Sequence, residues 1–134
     1  MAHPYQRKAK PSTKRAHPEA DLQRDCVQYL EVVAPRGLAW FTIETSFRPK
    51  TANAILKGRG QKAGTPDMAF VWEGQAGFTE LKSPTGDLSP AQVDMHAYLE
   101  QAGAAVETIR SIEELEAFLL RLGVPLRGTV GVRS

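Results

Sequence analysis

The stretch "GTPDMAFVWEGQAGFTELKSP", residues 64–84, constrains the chain more than any other. Two apolar, β-branched and aromatic runs, "MAFVW" at 68–72 and "FTELK" at 78–82, flank "EGQAG", which reads as an antiparallel hairpin with a short Gly-bearing turn. The fold must therefore be built on a sheet. Charges interrupt that sheet: Asp67 follows Pro66 at the mouth of the first strand, and Glu80 and Lys82 lie within the second. Such groups are costly to bury unless they are paired or bind a metal.

Side chains two apart on a strand share a face, so Glu80 and Lys82 point one way while Thr79 and Leu81 point the other. If the hairpin pairs as drawn, Asp67 lies within reach of the Glu80 surface. Two convergent carboxylates beside a lysine suit a hard, oxygen-seeking cation such as Mg²⁺, which one or two carboxylates hold together with phosphate and water. Metal and lysine together can orient and deprotonate a water for attack on a phosphodiester.

Helices are expected on either side. The first runs from Pro18 to about Val33 with Leu22, Cys26, Leu30 and Val33 as its apolar stripe. At 100° per residue Glu19 falls on that stripe, whereas Asp21 and Asp25 fall behind it. Two readings of Glu19 stand level: a third carboxylate of the site, or a first-turn acid that favours the helix macrodipole. "LAWFTIET" at 38–45 reads as a strand, followed by a long basic loop with a helical turn at "TANAILK".

"LSPAQVDMHAYLEQAG" opens a helix on Ser89 and Pro90 and closes it at Gly103. Its inward stripe carries Gln92, Met95, His96 and Leu99. Gln92 aims at the sheet, yet Ser89 and Gln92 also have capping-box spacing, which accounts for the glutamine without any site. His96 reads as a hydrogen-bonded core or boundary residue. "AAVETIRS" is a further strand, and "SIEELEAFLLRLG" a helix with Ser111 and Glu114 in capping-box spacing and Leu115, Phe118, Leu119 and Leu122 buried. The order is helix, strand, loop, hairpin, helix, strand, helix, a small mixed α/β sheet flanked by helices.

Length and composition agree with one globular domain: 134 residues, 42% hydrophobic and 24% charged. Every apolar run is far shorter than the ~18 residues of a spanning helix, and the N-terminus lacks a secretory h-region, so a cytoplasmic protein with no membrane partner is expected. The single cysteine, Cys26, excludes an intramolecular disulfide framework and reads as a small core residue. Charge is partitioned. Residues 1–18 carry Arg7, Lys8, Lys10, Lys14 and Arg15, and residues 46–66 carry Arg48, Lys50, Lys57, Arg59 and Lys62, with no acid in either segment. The rest of the chain holds seven of the 17 basic residues and all 15 acids. Two acid-free basic segments are what a polyanion-binding protein tends to show; the competing reading, a solvated tail and a soluble loop, stands level for the tail alone and loses ground when both segments are taken together. Residues 1–17 are expected to be a flexible basic arm, 18–123 the folded domain and 124–134 a tail.

In this order and context the residues resemble the PD-(D/E)XK nucleases, here Pro66-Asp67 and Glu80-Leu81-Lys82, and more narrowly the virus-type replication-repair nuclease (VRR-NUC) domains. The resemblance covers residues 19–122, from "EADLQRDCVQYL" through "KAGTPDMAFVW" and "FTELKSPTGDLSPAQ" to "AGAAVETIRSIEEL". It implies a restriction-endonuclease-like core that cuts DNA with Mg²⁺ or Mn²⁺. Asp67 and Glu80 would then be metal ligands with the Leu81 carbonyl, Lys82 would position or activate the water, Glu19 would complete the acidic site, and Gln92 would lie beside it. Short stand-alone members resemble structure-selective nucleases of four-way (Holliday) junctions or flaps that act as homodimers. A chain with no room for an added recognition domain is expected to follow them.

Two other readings compete. In a non-catalytic nucleic-acid-binding module the same basic segments would bind and Glu80–Lys82 would be only an ion pair. A P-loop enzyme is suggested by "GRGQKAGT", which lacks the Gly-Lys-Ser/Thr ending and precedes a strand where a phosphate loop follows one.

Overall fold

The computed structural model describes Tyr5, residues 17–43 and residues 57–128. Its elements are α1 (Pro18–Val33), β1 (Ala39–Thr42), β2 (Met68–Trp72), β3 (Gln75–Leu81), α2 (Pro90–Gln101), β4 (Ala105–Ile109) and α3 (Ile112–Arg121). The expected order is observed. The strands form one sheet in the order β1-β2-β3-β4, antiparallel except for the parallel β3–β4 pair. A parallel pair needs a crossover, and α2 supplies it. The helical turn expected at 51–57 lies outside the described residues apart from Lys57, which is helical.

The hairpin differs from expectation in one respect. Its turn is only Glu73-Gly74, with φ of +48° and +83°, and Gln75, Ala76 and Gly77 already pair with Trp72, Val71 and Phe70. Two left-handed residues match the twist of the flanking strands. Gly77 is therefore not a turn glycine. A Cβ there would stand 2.8 Å from Phe118 Cζ, so the missing side chain is what lets α3 lie on β3.

One face of the sheet presents Met68, Phe70, Leu81 and Ile109 to Cys26, Tyr29, Leu30 and Val33 of α1 and to Leu115, Phe118 and Leu119 of α3. These residues form the core. It does not stop at the boundaries expected at 17/18 and 123/124, because Tyr5 packs edge-on against Tyr29 with ring centroids 5.2 Å apart, and Val124 is buried. Burial, with a smaller contribution from Asp25, pushes the Cys26 thiol up to about 12, which keeps it an inert core residue. At α3, Ser111 accepts from the Glu114 N–H, but Glu114 returns to the N–H of Arg110 rather than to that of Ser111. The expected box is thus shifted by one residue. Among the described residues no helix is long and apolar enough to cross a membrane.

Candidate active site

The opposite face carries the charges. Asp67 is held by its main chain between two neighbours: its carbonyl accepts from the Ile43 N–H at 2.7 Å and its N–H donates to the Thr79 carbonyl at 3.1 Å. Its side chain replaces a missing rung. In the β2–β3 register Leu81 would face Pro66, beyond the end of the ladder, and its N–H donates instead to Asp67 Oδ2 at 2.7 Å. A proline ahead of the strand and an aspartate behind it thus fix a carboxylate at the end of a central strand.

Glu80 is 3% exposed. Gln92 Nε2 donates to its Oε2 at 3.1 Å, and His96 Nε2 lies 3.4 Å from its Oε1. Gln92 and His96 are four apart on α2, so one helix face supplies both. The two readings of Gln92 prove compatible. Its Oε1 accepts from the Ser89 N–H at 2.9 Å and its N–H donates to Ser89 Oγ at 3.2 Å, completing the capping box, while its Nε2 serves Glu80.

The Asp67 and Glu80 carboxyls lie within hydrogen-bonding reach of each other. Burial first, then the hydrogen bond and charge of Asp67, push Glu80 up to about 9, against the opposing pull of Lys82. Without a cation, two acids in this position share a proton. Burial also holds His96 below the usual imidazole range, with the Lys82 charge acting in the same direction and Glu100 opposing. A divalent cation fits such a pair because it can take the place of the shared proton between hard oxygen donors. Asp67 and Glu80 would hold it, with the Leu81 carbonyl belonging to the same residue whose N–H fastens Asp67.

Lys82 follows β3 directly, its N–H donating to the Ile109 carbonyl at 3.0 Å. Among the described residues it forms no ion pair with Glu80, whose partners are Asp67 and the α2 side chains. Glu19 stands beside the acid pair rather than in it: it is exposed, and its Oε2 is 3.4 Å from the Ser83 N–H. Accordingly no three His, Cys, Asp or Glu side chains among the described residues are grouped to hold a metal.

Lys57, Arg59 and Lys62 are exposed, and Arg48, Lys50, Lys8, Lys10, Lys14 and Arg15 lie outside the described residues. The stretch carrying the first three is delivered to the site by Gly64. With φ of +81° and a virtual Cβ 2.2 Å from the Ala91 carbonyl oxygen, this residue lies flat on the first turn of α2. Thr65 Oγ1 closes the preceding turn on the Lys62 carbonyl at 2.8 Å.

Reading the sequence placed His96 at a boundary without linking it to Glu80, although its i+4 spacing from Gln92 carried the signal. Arg110 carries no sequence signal. Its Nη1 donates to the carbonyls of Ser83 at 2.6 Å and Gly86 at 2.7 Å, a long-range contact for which local spacing holds no cue.

Two solved structures share this architecture. A VRR_NUC domain superposes with a TM-score of 0.52 at 19% identity, over 78% of this chain and 95% of its own. A VRR_NUC domain protein superposes with a TM-score of 0.59 at 14% identity, over 89% and 96%. At these identities the likeness is one of fold: the chain has the restriction-endonuclease-like α/β fold of those domains. No protein-family model matches the chain, and no curated protein matches it.

Proposed function

We propose that this chain is a nuclease of the VRR-NUC type, a Mg²⁺- or Mn²⁺-dependent DNA endonuclease. The observation that carries the reading is the acid pair: Asp67 and Glu80 are pressed together at the ends of the two central strands with a lysine charge beside them, on a fold shared with VRR_NUC domains. A buried acid held up to about 9 is a poor structural element but a good cation ligand.

A bound divalent cation would supply Lewis-acid activation of water and stabilise charge on the phosphodiester. The geometry supports a part for the chain's own residues. Leu81 N–H orients Asp67; Gln92 and His96 orient the two oxygens of Glu80; Lys82 places an ammonium next to the pair, where it can hold the attacking water or the scissile phosphate. Glu19 is the outer acid, facing the turn after Lys82. Lys57, Arg59 and Lys62 supply backbone contacts close to the site, and Arg48, Lys50, Lys8, Lys10, Lys14 and Arg15 extend the basic footprint.

The reading extends, on the resemblance described above, to branched DNA such as four-way junctions or flaps, a homodimer, a cytoplasmic setting and a part in DNA repair. A two-fold dimer would hold two sites at a fixed separation, suited to paired cuts. The test is cleavage of end-labelled single strand, duplex, flap and four-way junction by wild type and Lys82→Ala, with Mg²⁺, Mn²⁺ or EDTA. Metal-dependent cutting abolished by Lys82→Ala is expected. Binding without cutting under every condition would instead identify a nucleic-acid-binding module.

A further inference from the structure

We infer that Arg110 is a positioning residue that sets where Lys82 and Glu19 stand. The chain leaves β3 through a turn, Ser83-Pro84-Thr85-Gly86, closed by the Gly86 N–H on the Ser83 carbonyl at 3.2 Å. Arg110 Nη1 donates to that same carbonyl at 2.6 Å and to the Gly86 carbonyl at 2.7 Å. One guanidinium nitrogen, with its two N–H groups, thus ties both ends of the turn, and a charged donor makes the bonds strong.

The turn is the platform of two site side chains. A Cβ on Gly86 would lie 3.2 Å from Glu19 Oε2 and 3.6 Å from Lys82 Cδ, so both chains rest against this glycine. The Ser83 N–H faces Glu19 as well, at 3.4 Å. Moving the turn therefore moves both groups, while Asp67 and Glu80 are anchored elsewhere, on Leu81 and on α2.

Arg110 is itself fixed. Its N–H donates to Glu114 Oε1 at 2.7 Å at the start of α3, and the residue before it, Ile109, receives the Lys82 N–H at 3.0 Å. The end of β4 thus grips the end of β3 twice, once through the main chain and once through the guanidinium. Arginine suits the task because its planar guanidinium holds the two Nη1 N–H groups in one fixed orientation, whereas a lysine ammonium on a flexible stem would hold the same two carbonyls less firmly.

The inference rests on the nuclease reading only in what Lys82 is positioned for, and the test separates the two. In the full chain without metal or DNA, Arg110→Ala is expected to speed hydrogen exchange of the Gly86 amide at least tenfold, with Arg110→Lys intermediate. In cleavage assays it is expected to lower kcat with KM and Mn²⁺ affinity, measured by calorimetry, unchanged. Arg110→Lys should recover part of kcat and serves as the folded comparison. Unchanged Gly86 exchange, or a loosened turn with wild-type kcat, would overturn the inference. If wild type cuts no DNA the nuclease reading falls, and acylation of the Lys82 amine by acetic anhydride replaces kcat: an altered rate in Arg110→Ala supports the positioning role, and an unaltered rate refutes it.

Discussion

Each face of the sheet buries a carboxylate, and the two are treated differently. Between α1 and α3, Glu116 is 4% exposed and accepts from the Tyr29 hydroxyl at 3.4 Å. Burial first, and then Glu116, hold the tyrosine above its ordinary value, so the hydroxyl remains a donor. On the other face Glu80 is 3% exposed and meets a second acid in addition to the donors Gln92 and His96. A buried acid beside a hydroxyl is reconciled by hydrogen bonding. A buried acid beside an acid is reconciled by a proton or by a cation, which is why the second belongs to a candidate site and the first to the core.

The largest effect expected from this contrast is on cleavage. Glu80→Gln and Lys82→Ala should each lower the rate by about 100-fold or more, the scale of a lost proton-transfer or electrostatic group. Glu116→Gln should leave it near wild type, because the amide oxygen still accepts from Tyr29. Single-turnover assays at saturating Mn²⁺ decide the matter, and equal losses in Glu80→Gln and Glu116→Gln would erase the distinction.

Stability should run the opposite way. With Glu80 near 9 in the folded state and about 4.5 unfolded, the native protein binds more protons between those values, so the contribution of this group to metal-free stability is fully present below pH 4.5 and is lost as pH rises towards 9. Glu80→Gln should remove this slope and stabilise the metal-free protein at pH 8 by roughly 1–4 kcal/mol. Thermal melts across that pH range test it, and a melting temperature for Glu80→Gln below that of wild type at pH 8 would contradict the strained acid pair.

Gly64→Ala sharpens the comparison at the joint between loop and helix. Its side chain would meet the Ala91 carbonyl from a left-handed backbone, and the expected loss is roughly 1–3 kcal/mol in denaturant unfolding. Cleavage should weaken further than stability alone explains, since Gln92 begins at the same turn. Gly60→Ala, also at positive φ but with open space around its Cβ, should cost less.

The smallest effects concern the basic segments. If Lys62 contacts a duplex phosphate, Lys62→Ala should make the slope of log affinity against log salt shallower by about 0.9. Neutralising Lys8, Lys10, Lys14 and Arg15 together should do the same several times over. This is a cleaner experiment than deleting residues 1–17, which would also remove Tyr5 from the core. Slopes unchanged in titrations from low to high salt would show these lysines to be solvated bystanders.

Much of the site was legible because its cues are local. Alternation separated Glu80 from Leu81, helical spacing aligned Gln92 with His96, and Pro66-Asp67 marked the head of a strand. The turn was less legible. Gly77 looks like punctuation in "EGQAG", and only the approach of Phe118 from α3 reveals it as a packing glycine within the strand.

By itself the sequence determined the order of elements, the two faces of the hairpin, and which charged residues stand where a core strand should not carry them. Those properties depend on neighbours within one or two turns or rungs, where periodicity and capping preferences act. Tertiary structure alone decided that Glu19 stands on the turn after Lys82 rather than with Asp67 and Glu80, that Gln92 joins a helix cap to an acid, and that Arg110 ties down the turn. Each of these depends on the register between distant segments: Glu19 and Ser83 are 64 residues apart, and Arg110 and Ser83 are 27. Packing and strand pairing set that register, and no local pattern encodes it.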